Sequence, residues 1–160
     1  MKKVVVCNSL EKTELLGKII SQFLFPGAVI SLDGNLGAGK TTFTKAIALG
    51  LGIVEHVSSP TFNILKCYFG GRLPFYHIDA YRLEDSPNRN IGLEEVIEGD
   101  GVCIIEWGVF IKEMIYEPLI VKINILDENT REFVFESDYP KYGEIFTAIG
   151  GIIDDKSFFR

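Results

Sequence analysis

The sequence predicts an α/β domain of three layers, with a mixed, mainly parallel sheet between helices, and three observations carry that prediction. Short apolar runs alternate with segments of helical periodicity, the order that lays helices against a sheet. One of those runs, Ala28-Val29-Ile30-Ser31-Leu32, passes through a glycine-rich turn directly into a helical pattern. Two more pairs of runs are joined by turn signals, Gly70-Gly71 and Asp127-Glu128-Asn129-Thr130, as in antiparallel hairpins. All of residues 1–160 read as one domain, since a chain of about 150 residues buries roughly 70% of its unfolded surface.

The elements follow in order. Val4–Cys7 reads as a short strand, and Ser9 as the N-cap of a helix with Glu11 in its first turn. Leu15, Leu16, Ile19, Ile20, Phe23 and Leu24 give that helix an apolar face, and Pro26-Gly27 stops it. After the strand Ala28–Leu32, a second helix runs from Lys40 to about Gly50. Phe62–Phe69 and Phe75–Ile78 make the first hairpin, and Leu83–Asn90 is a polar surface segment. Leu93–Glu98 is a short helix, Val102–Ile105 a buried strand and Val109–Tyr116 a further helix. Leu119–Leu126 and Arg131–Glu136 form the second hairpin, and the segment after Asp138 is left without an assigned role, with a helix expected beyond Lys141.

Composition narrows the function. Hydrophobic residues are 47% and charged residues 24%, and 16 Lys and Arg stand against 22 Asp and Glu for a net charge of −6. A chain so acidic lacks the basic face that gripping nucleic acid unaided requires. Its longest apolar stretch, Ile145–Ile153, is about half of what a bilayer-spanning helix needs. No signal peptide is evident, because the run after Lys3 ends by Asn8. Cys7, Cys67 and Cys103 show no CxxC spacing and are expected to be plain buried thiols. These features fit a cytoplasmic protein.

The sharpest motif is Gly34-Asn35-Leu36-Gly37-Ala38-Gly39-Lys40-Thr41, a full GxxxxGK[ST] between a buried strand and a helix. Glycines let successive backbone N–H groups turn inward around a phosphate, and the helix N-terminus adds partial positive charge. Lys40 is placed for the β- and γ-phosphates and the Thr41 hydroxyl for magnesium. The domain is therefore expected to be P-loop NTPase-like. Such a loop also needs a carboxylate at a neighbouring strand end, and both Asp79 and Glu106 qualify; the sequence permits either to hold the metal while the other positions water. Ser58-Ser59-Pro60-Thr61 occupies the place of a switch segment. His77 reads as a buried, hydrogen-bonded residue, and Trp107 as a core aromatic next to any bound nucleotide.

A GTPase is excluded, since neither NKxD nor a following DxxG occurs. A small-molecule kinase remains, with Asp79 as the base for a hydroxyl proton, although the five arginines (Arg72, Arg82, Arg89, Arg131, Arg160) form no cluster. A nucleotide-gated scaffold without turnover is a third reading.

GNLGAGKTT at Gly34–Thr42, Ser59-Pro60-Thr61-Phe62, His77-Ile78-Asp79-Ala80-Tyr81-Arg82 and Ile105-Glu106-Trp107, in this order and spacing, resemble the bacterial TsaE (YjeE) proteins over roughly Val6–Glu136. The resemblance implies an ATPase that works with the TsaD and TsaB proteins to form threonylcarbamoyladenosine beside the anticodon of certain tRNAs. It implies that the chain does not perform the transfer and meets tRNA only through the complex. It also assigns roles. Leu36, Gly37, Ala38, Gly39, Lys40, Thr41 and Thr42 would hold the phosphates of ATP, with Thr41 and Glu106 on Mg2+. Asp79 would act near the γ-phosphate, Thr61 would belong to the switch-like loop with Trp107 against it, Arg131 would contact the nucleotide, and Leu10–Thr13 would lie over the adenine. Asn35 stands where the family usually has Asp.

Overall fold

The computed structural model describes residues 1–60, 63–84 and 92–155. Seven strands form a single sheet: β1 (Lys2–Cys7), β2 (Val29–Gly34), β3 (Leu65–Tyr68), β4 (Phe75–Asp79), β5 (Val102–Glu106), β6 (Leu119–Ile125) and β7 (Arg131–Glu136). Their order across the sheet is β1-β7-β6-β2-β5-β4-β3. The central ladders, β6–β2, β2–β5 and β5–β4, are parallel, and the outer ones, β1–β7, β7–β6 and β3–β4, are antiparallel. Both expected hairpins are present, so the sheet is mixed with its parallel part at the centre.

Side-chain alternation explains the three layers. Ile30 and Leu32 of β2, with Val102 and Ile104 of β5, face one hydrophobic core, while Val29, Cys103 and Ile105 face a second. The first core is closed by helices α1 (Leu10–Ser21), α2 (Lys40–Gly50) and α4 (Gly143–Asp154), which contribute Leu16, Ile20, Phe43, Ile47, Ile145 and Ile149. The second is closed by α3 (Leu93–Ile97) and two 3₁₀ segments, Tyr81–Leu83 and Gly108–Met114, through Leu83, Leu93, Ile97, Ile111 and Met114.

Tyr142, Ile145, Phe146, Ile149 and Ile152, from the segment after Asp138, belong to the first core. Tyr142 is fully buried, and its hydroxyl accepts from Val29 N (2.9 Å) and donates to Val29 O (3.0 Å). Burial pushes its phenol up to about 12. An unassigned tail in the sequence is thus the element that pins the entrance of β2.

Three sequence expectations change. The helix expected at Val109–Tyr116 is a 3₁₀ segment broken at Ile111 (φ −131°), where aromatic and β-branched residues are weak helix formers. The strand expected from Phe62 begins at Leu65, because Ile64 N donates to Pro60 O (2.8 Å) and closes a turn ahead of it. Cys67 lies exposed on edge strand β3, while Cys7 and Cys103 are buried, with thiols pushed up to about 11 and about 12 by burial. Ser9 caps α1 as expected, its Oγ accepting from Lys12 N (3.2 Å).

Candidate functional site

β2, β5 and β4 run side by side in one direction, so their carboxyl ends open on the same edge of the sheet. A cleft forms at that edge because the chain leaves β2 there for one layer and β4 and β5 for the other. From β2 the chain enters residues 35–39 and then α2. Gly37 (φ +80°) and Gly39 (φ +104°) lie in the left-handed region, and a Cβ at either would meet nothing within 4 Å. Conformation and not crowding therefore requires glycine here. Gly39 is the N-cap of α2 and offers no side-chain cap, so the first-turn N–H groups have no intrahelical partner.

A cleft of about 850 Å³ gathers Leu36, Gly37, Gly39, Lys40, Thr41 and Thr42 from the loop and helix, Ser59 from the segment between α2 and β3, Asp79 and Tyr81 from the end of β4, and Glu106 and Trp107 from the end of β5. Leu36 is 99% exposed at its mouth. Ala38 is buried beneath the loop, its N–H on Asn35 O (3.0 Å). Thr61 lies outside the described residues; Ser59, of the same segment, lines the cleft.

The charged centre is compact. Lys40 Nζ stands 3.4 Å from Glu106 Oε1, with side chains 17% and 12% exposed. The other carboxylate oxygen, Oε2, is 2.8 Å from Nε2 of His77, which is 2% exposed. Burial alone pushes the Glu106 carboxyl up, but the hydrogen bond from His77 and the Lys40 ammonium together hold it below the usual carboxylate range. Asp79, paired in register with Glu106 across β4–β5, accepts from Tyr81 N at Oδ1 (3.1 Å).

The backbone around the cleft is strained at two non-glycine residues, Ile64 (φ +62°) and Trp107 (φ +58°). Such outliers persist only where the surroundings hold them, and they gather at functional sites. Ile64 O accepts from Asp79 N (2.8 Å), and Ala80 N donates to Glu106 O (2.9 Å), so the two strand ends are laced together. Trp107, expected as a core aromatic, is instead exposed; it stacks on Phe110 (centroids 5.7 Å, 5° between planes) and tilts against Tyr81 at 5.1 Å, making an aromatic ledge beside the cleft.

A smaller pocket of about 280 Å³ joins the cleft at Gly37, Gly39 and Thr42 and continues to Ser9, Leu10 and Thr13 of α1 and to Glu128, Asn129 and Arg131. Arg131 also braces the loop. Its Nε donates to Ala38 O (3.1 Å) and its Nη2 to Gly37 O (3.4 Å), while Nη1 holds Asp127 O (2.8 Å) and Thr130 O (3.1 Å). Arg131, Leu10 and the loop glycines are thus brought together, and Lys40, Thr41, Asp79, Glu106 and Trp107 share the larger cleft. Sequence reasoning missed the bracing by Arg131, the ledge of Tyr81 and Phe110, and the grip of His77 on Glu106. Of these, only the last had a signal: His77 and Asp79, two apart on a strand, share a face.

Uncapped helix N–H groups, a lysine and the hard oxygen donors of Thr41 and Glu106 at one spot match the chemistry of a magnesium-bound polyphosphate.

The family model described as "Threonylcarbamoyl adenosine biosynthesis protein TsaE" matches residues 7–133. A Bacillus subtilis protein named "tRNA threonylcarbamoyladenosine biosynthesis protein TsaE" is 45% identical over 133 residues, covering 82% of this chain and 84% of its own. One of the same name from Treponema pallidum is 41% identical over 129 residues, 79% of this chain and 95% of its own. The crystal structure of Bacillus subtilis YdiB superposes with a TM-score of 0.82 at 35% identity, covering 96% of this chain and 97% of the other. With the family model spanning most of the chain and two relatives above 40% identity over 84% and 95% of their own lengths, the chain belongs to the TsaE family.

Proposed function

We propose that this chain binds ATP with magnesium over the 34–41 loop and hydrolyses it slowly, as the nucleotide-dependent member of the assembly that forms the threonylcarbamoyl group on adenosine beside the tRNA anticodon. The names of its relatives support the pathway. The observation that carries the nucleotide reading is the meeting of Lys40 and Glu106, 3.4 Å apart at the uncapped start of α2, with Asp79 on the adjoining strand.

On this reading Lys40 turns from Glu106 to the β- and γ-phosphates, and the N–H groups of residues 36–41 surround them. Thr41 and Glu106 hold the magnesium ion, which neutralises phosphate charge when bound. Asp79 orients the attacking water, with Thr61 near the γ-phosphate. Trp107 and Leu36 border the phosphates, while Leu10 and Arg131 flank the base in the smaller pocket. The transfer itself belongs to the partners, the TsaD and TsaB proteins, and tRNA is reached only through them. The net charge of −6 suits docking on a basic partner surface in the cytoplasm, so the complex should separate as salt rises. Among the described residues, no helix is long and apolar enough to cross a membrane.

The test is phosphate release from magnesium-ATP by the purified chain, alone and with TsaD and TsaB. Slow release that rises clearly with the partners supports the reading. A confirmed complex without any rise favours a nucleotide-gated scaffold. Absence of a complex, with phosphate passed to a metabolite, favours the kinase, in which Asp79 would take a hydroxyl proton. Against the kinase, Arg72 is committed to the carbonyls of Ser21 (2.7 Å) and Leu24 (2.9 Å) and is no part of a phosphate-facing lid.

A further inference from the structure

Glu106 is the last residue of β5, and a glutamate at a strand end has rotamer freedom to lose before it can act at a fixed point. Two groups take that freedom away. Lys40 holds Oε1 from the helix side at 3.4 Å, and His77 holds Oε2 from β4 at 2.8 Å. The two anchors differ in permanence. Lys40 sits at the start of α2 on a flexible stem, where a bound polyphosphate competes for its charge. His77 sits mid-strand, 2% exposed, in a register fixed by β3 on one side and β5 on the other.

The second ring nitrogen sharpens the point. Nδ1 of His77 is buried with no hydrogen-bond partner. A proton on Nδ1 would leave an unpaired N–H in the interior, so the arrangement suits the tautomer that carries its proton on Nε2 and donates it to Glu106. A buried polar atom without a partner is costly to keep in a core and is retained where the other end of the group has work to do. Asp79 lies two residues further along the same face of β4, so one strand face supplies both a carboxylate for the cleft and the clamp for its neighbour.

We propose that His77 is a positioning residue for Glu106: it fixes the carboxylate through Oε2 so that Oε1 stays aimed at the metal site after Lys40 has moved to the phosphates. This rests on the reading of Glu106 as a metal-holding carboxylate. Partners of a metal-holding carboxylate are worth about 10- to 100-fold in metal affinity or activity, and the same scale applies here.

The experiment compares wild type with His77→Leu, which fills the ring's space without a donor, and His77→Gln, whose side-chain amide restores one. Each chain is titrated with ATP alone and with ATP plus Mn2+, following the emission of Trp107, the one tryptophan present. Thermal unfolding is recorded for each. Affinity for ATP without metal is expected to be unchanged in both variants. The strengthening of binding by Mn2+ is expected to fall about 10-fold or more in His77→Leu and to return to within about threefold of wild type in His77→Gln. Paramagnetic resonance of the bound Mn2+ gives a second, activity-free readout. Folded His77→Leu with a wild-type response to Mn2+ overturns the proposal. So does a uniform loss of affinity with and without metal that glutamine fails to rescue, since that pattern is merely structural. A wild-type chain whose ATP binding ignores Mn2+ overturns the reading of Glu106 itself, and the role of His77 with it.

Discussion

Replacing Lys40 with alanine removes the ammonium that stands beside Glu106 in the cleft, and the structure sets the size of the effect. At 3.4 Å the bare attraction is about 5 kcal/mol at an effective dielectric near 20, most of it cancelled by the cost of taking both groups out of water. The pair therefore contributes about 1–2 kcal/mol to the nucleotide-free protein. With two phosphates as partners, the ammonium makes charge-assisted bonds of about 1.5–3 kcal/mol each. Subtracting the lost carboxylate pairing leaves about 2–4 kcal/mol, a loss in ATP affinity of about 30- to 700-fold. Glu106→Gln is expected to behave differently: it frees Lys40 for the phosphates and costs less than about 10-fold in affinity, while phosphate release nearly stops. Titration with magnesium-ATP, read by Trp107 emission from the cleft wall, measures both affinities, and a phosphate assay measures turnover. Equal losses of affinity in the two variants would refute this division of roles.

Three further outcomes are expected. Because the Glu106 carboxyl is held below its ordinary range, it contributes stability that is complete above the unfolded value, near pH 4.5, and is lost as pH falls through the lowered one. Urea unfolding of wild type should weaken more steeply than that of Glu106→Gln below pH 5, and parallel curves would contradict the pairing with His77 and Lys40. Arg131→Ala should lower ATP affinity about 10-fold by loosening the carbonyls of Gly37 and Ala38, with Arg131→Lys recovering part of it; calorimetric titration decides, and an unchanged affinity would show that the loop keeps its shape without the brace. Tyr142→Phe removes the hydroxyl that bonds both the N–H and the C=O of Val29 and should cost about 2–4 kcal/mol of unfolding free energy by urea titration while ATP affinity per folded molecule stays as it was; a cost under about 0.5 kcal/mol would mean that other groups satisfy Val29.

The strands and helices nearest the site were legible because their signals are local. Ser9 caps α1, Gly39 opens α2, and the β3–β4 and β6–β7 hairpins bracket their turn residues. The segments that escaped are those whose shape depends on distant partners. Ile111 breaks a helix-like pattern inside the second core, and Cys67 is exposed only because β3 is a sheet edge. The helix α4 could be suspected from its apolar residues, but its contact with β2 through Tyr142 spans 113 positions of sequence.

The sequence by itself determined the glycine-rich loop at residues 34–41, since left-handed glycines, a lysine and a helix start are properties of consecutive residues. It also supplied the candidate carboxylates, because each closes an apolar strand. What only the tertiary structure decided is how they combine. Parallel pairing of β4 with β5 sets His77 and Asp79 beside Glu106, the order β2-β5-β4 brings Glu106 to Lys40, and the second hairpin lays Arg131 on the loop carbonyls. Those are relations between strands far apart in the chain. Their physical origin is the burial of two sheet faces at once, which fixes strand order and register together.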